Sequence, residues 1–397
     1  MTTTIVKSLS VCAITTWPPY RDGIALYSAK LYERMADFAH IEIIANKVGA
    51  RTPNDYGQNN IAIHRRWSRG NVFSLLQVFH QVVKSRAHIL HVHYGWLLYG
   101  FSSTLLIPFL LLAIRFTGKP VVLTMHTVIQ RNAKLYNNGF LNKVADSVIF
   151  ALTVLLTRFP QEVIVHNHLV KKGLEESYGC KSEKIVIIPH GVVRADSTNH
   201  SGKNACREQM ILSLGFLRED KKLESLLQAF SRFSLENPIA RLFLAGGHHP
   251  HDNDKYVKKI RNLISSLGLG DKVQWMNFVP DEELDEYLGE SEFIVLLSTK
   301  DYFLETSGAL ARVADFGKPV ICSRVPKFQA ELKDTYNCLM VTPGNVDELT
   351  MAMRVLAKSD KLKEQLGSNL KRHSMAKYWP EVVKMHLNLY SSLLRFK

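Results

Sequence analysis

The sequence predicts an α/β protein of two domains, each a parallel sheet covered by helices. Three observations carry that prediction. Short β-branched runs alternate with longer helical periods along the chain, the pattern left by parallel strands and crossover helices. One polar, turn-rich segment, residues 194–209 (RADSTNHSGKNACREQ), breaks the alternation without a single large apolar side chain. At 397 residues the chain also exceeds what one hydrophobic core usually organises. The expected architecture is a first domain over 1–193, a linker over 194–209 and a second domain over 210–379, two Rossmann-like halves facing a cleft.

In chain order, the strands expected in the first half are Leu9–Thr15, Ile41–Asn46, Ile61–His64, Ile89–His93, Val121–His126, Val163–His166 and Ile185–Pro189. Helical periods such as Ile24–Phe38 and Ser74–Ser85 lie between them. Runs like VVLTM lack strict polar alternation, as strands buried on both faces do. The alternation resumes at Met210–Gly215, Arg241–Gly246, Val273–Met276, Phe293–Ser298, Val320–Ser323 and Leu339–Val341. A last helix, Glu381–Phe396, follows Trp379-Pro380, with proline in the first turn where its missing N–H costs little.

Composition excludes several classes. Hydrophobic residues make up 46% and aromatics 10%, an ordinary globular balance. No uninterrupted run reaches the ~18 apolar residues of a membrane-spanning helix; the longest are Leu105–Ile114, which contains Pro108, and Val148–Leu156. The amino-terminal stretch reads as a first strand and not as a signal peptide. Five scattered cysteines without CxxC spacing argue for a reducing, cytoplasmic setting and against a disulfide framework or a zinc site. The net charge of +14 is uneven: residues 1–192 hold 21 lysines and arginines against 10 acids. A basic half with apolar helices suits an anionic membrane surface or a phosphorylated acceptor, and plain solubility charge is the simpler alternative. Nucleic acid is set aside because no recognition-helix or basic-aromatic repeat is present.

The second half carries parts of a phosphate site. Gly215 ends the strand Met210–Gly215, and Arg218, Lys221 and Lys222 lead into the helix Leu223–Phe230. Such a turn can hold a diphosphate by backbone N–H groups and cationic side chains, though basic loops are also common solvated surface. Gly246-Gly247, followed by His248-His249, ends the next strand. Ser307-Gly308 opens a helical pattern that Gly317-Lys318-Pro319 breaks before Val320-Ile321. A helix opening there would aim unpaired N–H groups at an anion. His91, His93, His166 and His168 lie at strand ends without a metal-ligand spacing, and read as packing or acceptor contacts.

The order of these pieces resembles glycosyltransferase family 4. It runs Gly215…Lys221, Ala245-Gly246-Gly247, Val273…Phe278, Leu296-Leu297-Ser298, Gly317-Lys318-Pro319-Val320-Ile321, Asn337-Cys338-Leu339…Thr342-Pro343-Gly344 and Trp379. In the first half it includes Pro18–Ala25, Thr124–Val128 and Ile187–Val192. The resemblance spans nearly the whole chain. It implies the GT-B fold, with an acceptor-binding first domain, a nucleotide-sugar-binding second domain, and a last helix, 380–397, that packs back on the first.

By that resemblance, Gly23 lies near the donor phosphate, His126 contacts the transferred sugar, and Arg218 and Lys221 neutralise the donor diphosphate. Gly246, His249, Ser307 and Gly308 join the donor site, Phe278 borders the base, and His190 lies on the acceptor side. The family's paired glutamates fall at Leu304 and Arg312 here. Glu305, beside the first, is the substitute expected to touch the donor sugar, whereas Arg312 cannot accept hydrogen bonds from a ribose as a carboxylate would. Lys222 stands where the family usually has glycine. The implied activity is metal-independent transfer of a hexosyl group from a UDP- or GDP-sugar to a glycan or lipid-linked acceptor, with retention. No cofactor is expected, the nucleotide sugar being a substrate, and the setting is cytoplasmic and peripheral at the inner face of the plasma membrane. A catalytically degenerate binding subunit, or a phosphorylase or epimerase on the same fold, is the alternative.

Overall fold

The computed structural model describes residues 9–49, 52–195, 209–247 and 254–395. The chain forms two compact units: residues 1–191 with 302–306 and 379–397, and residues 192–301 with 307–378.

The first unit is built on β1 (Ser10–Thr15), β2 (His40–Asn46), β3 (Asp55–Gln58), β4 (Ile61–Trp67), β5 (Ile89–Tyr94), β6 (Val121–Met125), β8 (Glu162–Val165) and β9 (Ile185–Ile187). They hydrogen-bond in the order β3-β4-β2-β1-β5-β6-β8-β9. All pairs are parallel except the edge pair β3–β4. The order reverses between β1 and β5, the doubly wound arrangement. Helices α1 (Gly23–Met35), α2 (Ser74–Lys84), α3 (Phe101–Arg115), α4 (Gly139–Arg158), α5 (His168–Tyr178) and α13 (Trp379–Arg395) cover it. Side chains of a strand alternate between faces. On β5, Leu90, Val92 and Tyr94 join the apolar core that also holds residues of α2 to α5. His91 and His93 point the other way, where tyrosines of α1 and α13 meet them. The α13 helix seats through Trp379: a Cβ on Gly191 would lie 2.2 Å from its ring, so only glycine fits there.

The second unit contains β10 (Gln209–Leu214), β11 (Ala240–Ala245), β12 (Val273–Asn277), β13 (Phe293–Leu296), β15 (Val320–Ser323) and β16 (Leu339–Val341). Their order is β12-β11-β10-β13-β15-β16, parallel throughout. This is a second doubly wound sheet, with its switch point between β10 and β13. Helices α6 (Leu223–Glu236), α7 (Asp254–Ser266), α8 (Asp281–Glu290), α9 (Gly308–Val313), α10 (Pro326–Gln329), α11 (Val346–Lys358) and α12 (Asp360–Ser374) complete it.

One short segment departs from a simple split of the chain. Residues 302–306, inside the stretch expected to be wholly second-domain, count with the first unit. There β14 (Phe303–Glu305) pairs antiparallel with β7 (Thr127–Ile129), placing Leu304 opposite Val128 and Glu305 opposite Thr127. Leu304 is buried in the first unit's core, where its Cδ1 lies 2.3 Å from where a Cβ on Gly173 of α5 would stand. Of the segment read as linker, only residues 194, 195 and 209 lie within the described residues.

Candidate functional site

In the second unit the carboxyl end of β10 runs into Gly215, and the following turn gathers charge. Asp220 lies at its centre: Arg218 Nε is 3.2 Å and Lys221 Nζ 3.7 Å from its carboxylate. The backbone N–H of Thr299, just past β13, donates to the Asp220 carbonyl at 2.8 Å, tying the two strand ends together. Burial pushes the Asp220 carboxyl up, but Lys221, Lys300, Arg218 and Lys327 together outweigh it and hold it below the usual carboxylate range. Four cations therefore act on one carboxylate at the switch point, the place where open α/β sheets bind ligands. Arg218 and Lys221 were expected there. Lys300 and Lys327 were missed, because a lone lysine after a strand or in a short helix carries no signal in sequence.

The glycines have local reasons. A Cβ on Gly246 would lie 1.7 Å from the Gly215 carbonyl oxygen, so this glycine serves the close packing of two strand ends. Gly247 donates nothing to that contact but accepts from Leu217 N–H at 3.2 Å, and the Phe278 backbone lies beside it. Phe278 is exposed at the end of β12. Lys222, in the family's glycine position, has φ of 46°, the left-handed conformation that glycine adopts without a Cβ penalty. His249 lies outside the described residues.

Ser307 caps α9 as its spacing suggested, its hydroxyl accepting from Leu310 N–H at 3.2 Å, and Gly308 is the exposed first residue of the helix. Arg312, on that helix, donates to the Asp281 carbonyl at 2.9 Å and ion-pairs with Asp285 on α8. It is thus committed to structure within the unit. Glu305 belongs to the first unit, on β14.

In the first unit, Gly23 is the exposed first residue of α1, after the N-cap Asp22, whose carboxylate accepts from Ala25 N–H at 2.6 Å. The carboxyl ends of β6, β8 and β9 deliver His126, His166 and His190. The imidazoles of His126 and His166, with His91 and His93 of β5, form one hydrogen-bonded series whose proton positions follow from a single fixed acceptor, and His190 meets it by ring contact with His166. His166 Nδ1 faces the Ile188 carbonyl at 2.9 Å, so that nitrogen carries the proton. A neutral His166 accepts at Nε2 from His126 Nδ1–H at 3.1 Å. His126 accepts at Nε2 from His93 Nδ1–H at 2.9 Å, and His93 accepts from the Tyr32 hydroxyl at 2.7 Å. The Tyr32 oxygen receives His91 Nδ1–H at 2.8 Å, shared with Tyr390 at 2.7 Å, while His91 Nε2 accepts from Thr124 at 2.7 Å.

Burial, reinforced by the neighbouring imidazoles, holds His91, His93 and His126 well below the ordinary histidine range and brings His166 to about 3. Tyr27 covers the series edge-on, 4.9 Å from His126 and 5.0 Å from His190 between ring centres. His190 Nδ1 donates to the Gly191 carbonyl at 2.9 Å, and its ring stands 5.9 Å from that of Trp379. Both ring nitrogens of His126 are therefore engaged, and a hydrogen bond from its ring to a sugar requires one partner to give way. His168 is exposed at the start of α5, apart from the series. Among the described residues, no group of three or more His, Cys, Asp or Glu side chains is placed to hold a metal ion.

Two doubly wound sheets in one chain match solved GT-B structures. Sucrose-phosphate synthase from Thermosynechococcus elongatus is 19% identical with a TM-score of 0.79, over 98% of this chain and 100% of that one. Anabaena HepE, solved with UDP-glucose, is 14% identical with a TM-score of 0.74, over 97% and 100%. Family models match in tandem: Glycosyltransferase Family 4 over residues 21–195 and Glycosyl transferases group 1 over residues 196–373. The chain belongs to this glycosyltransferase family. Among curated relatives, mannosylfructose-phosphate synthase of Agrobacterium fabrum is 27% identical over 49% of this chain and 44% of its own length. The MMP alpha-(1->4)-mannosyltransferase of Mycolicibacterium hassiacum is 24% identical over 72% and 68%.

Proposed function

We propose that the chain transfers a hexosyl group from a UDP- or GDP-sugar to a hydroxyl of a glycan or lipid-linked acceptor, with retention and without a metal ion. The observation that carries this reading is the cluster of Arg218, Lys221, Lys300 and Lys327 around Asp220 at the second unit's switch point. Breaking the bond from sugar to diphosphate leaves negative charge on the diphosphate. Preorganised cations stabilise that charge in the transition state, so catalysis is mainly positioning and electrostatics. Gly23, Ser307 and Gly308 are assigned to the donor phosphates, and Phe278 with Gly246 to the base side. His126 and Glu305 are assigned to the transferred sugar and His190 to the acceptor. The curated relatives' names, a synthase of mannosylfructose phosphate and a mannosyltransferase, support a hexosyl donor. The setting we assign is the cytoplasm, at the inner face of the plasma membrane, in polysaccharide assembly.

The test is a thermal-shift screen against UDP- and GDP-sugars followed by Lys221→Ala. A ligand that binds only the folded state raises its melting temperature. Loss of one charge-assisted contact weakens donor binding about tenfold to a hundredfold. Unchanged donor affinity together with unchanged turnover at saturating donor overturns the diphosphate assignment. A non-catalytic binding subunit is the second reading, favoured by Leu304 being buried in the core and Arg312 being ion-paired. Tight nucleotide-sugar binding with neither hydrolysis nor transfer across an acceptor panel decides for it.

A further inference from the structure

We infer that the outward face of α3 and α4 in the first unit docks into the surface of an anionic lipid bilayer. It extends the reading of a membrane-borne acceptor but stands on its own observations. A surface helix normally turns its polar side to water. On α3, Leu105, Phe109 and Phe116 at its C-cap follow helical spacing and are exposed, the last two at 60% and 83%. On the neighbouring α4, Phe140, Val144 and Val148 repeat every fourth residue and are exposed as well. The two helices pack side by side on the sheet face opposite α1 and α13, so the stripes are adjacent. An apolar surface of this extent marks an interaction site.

At 20 residues, α4 has the length and apolarity to cross a membrane. However, it is the crossover between the parallel neighbours β6 and β8, and its inner side buries Ile149, Leu152 and Leu156. It must therefore lie along the sheet, which leaves its outer side to lie in the plane of an interface.

Charge selects the occupant. From residue 69 to residue 158 there are nine lysines and arginines and a single acid, Asp146. Arg131 pairs with that acid at 2.8 Å, and hydrogen bonding from Arg131 holds its carboxyl below the usual range. Lys84, Arg86, Arg115, Lys143 and Arg158 are exposed on or beside these helices. A second copy of the chain would bring two such basic faces together, whereas anionic headgroups neutralise them.

The experiment is co-sedimentation of the full chain with phosphatidylcholine vesicles, with and without about one part in three of phosphatidylglycerol. Binding is expected to the anionic vesicles and to fall in high salt. Phe109→Glu and Phe116→Glu, singly, are expected to weaken it about tenfold or more, since each removes an inserted aromatic ring. Their melting temperatures and UDP affinity should match the parent, which separates failure of this face from failure of the donor assignment. Equal binding to neutral vesicles, no binding, or binding unaffected by both phenylalanine changes overturns the inference. So does a dimer in sedimentation that these variants abolish, which would give the face to a second copy.

Discussion

Acid should unfold the first unit well before it harms the second, because the histidine series is folded in its neutral form. Four of its rings and neighbours, His91, His93, His166 and His386, are buried. Burial is the main cause that lowers all four, His166 to about 3 and His386 to about 4. An unfolded histidine titrates near 6.5. A group whose folded pKa is depressed binds fewer protons folded than unfolded, so stability rises with pH across the window between the two values. The stabilising balance is thus complete above 6.5 and is lost as pH falls below it. One pH unit below 6.5, each ring costs about 1.4 kcal/mol, and four cost about 6 kcal/mol. That is comparable with the whole stability of a typical domain, about 5–15 kcal/mol. Asp22, raised by burial, works in the opposite sense, but only at lower pH.

Urea unfolding followed by tryptophan fluorescence reads this directly, since Trp17, Trp67, Trp96 and Trp379 lie in the first unit and only Trp275 in the second. The first transition should weaken steeply between pH 7.5 and 5.5 with uptake of about four protons. His386→Leu should remove about a quarter of that slope, because it deletes one titrating ring whose hydrogen bond goes to the Val382 carbonyl of its own helix. A stability that is flat across this range contradicts a neutral folded series, for it means the rings accept protons in the folded state.

Two substitutions probe the departures from the family pattern. Leu304→Glu, which restores the family's residue, should destabilise the first unit by about 3 kcal/mol or more, because a carboxylate replaces a buried side chain; equilibrium unfolding checks it, and a neutral effect contradicts the packing. Lys222→Gly should leave the fold intact and stabilise the second unit by up to about 1 kcal/mol, by relieving the left-handed backbone at φ 46°. A melting temperature lowered by that change would show that the lysine side chain matters more than its backbone.

Much of the fold is legible in sequence because parallel strands leave uninterrupted β-branched runs between helical periods. Ile89–His93, Val121–His126 and Met210–Gly215 each appear within a residue or two of the observed strand. The β14 segment was not legible. Three residues carry no periodicity, and their pairing with β7 is a long-range contact that only the folded chain reveals. The cationic cluster was half legible: Arg218 and Lys221 sit in a recognisable strand–turn–helix, while Lys300 and Lys327 arrive from other strand ends. The histidines were visible as strand-end residues, but not as a connected series. Their partners Tyr32 and Tyr390 come from helices far apart in sequence, and periodicity says nothing about which helices share a face of the sheet.

The claim on which the functional account rests is that the second unit's cations hold a nucleotide diphosphate. Isothermal titration of UDP and UDP-glucose into the parent chain and into Arg218→Ala/Lys221→Ala tests it most directly. Saturable binding by the parent and a loss of about a hundredfold or more in the double variant are expected. Binding of equal strength in both proteins contradicts it.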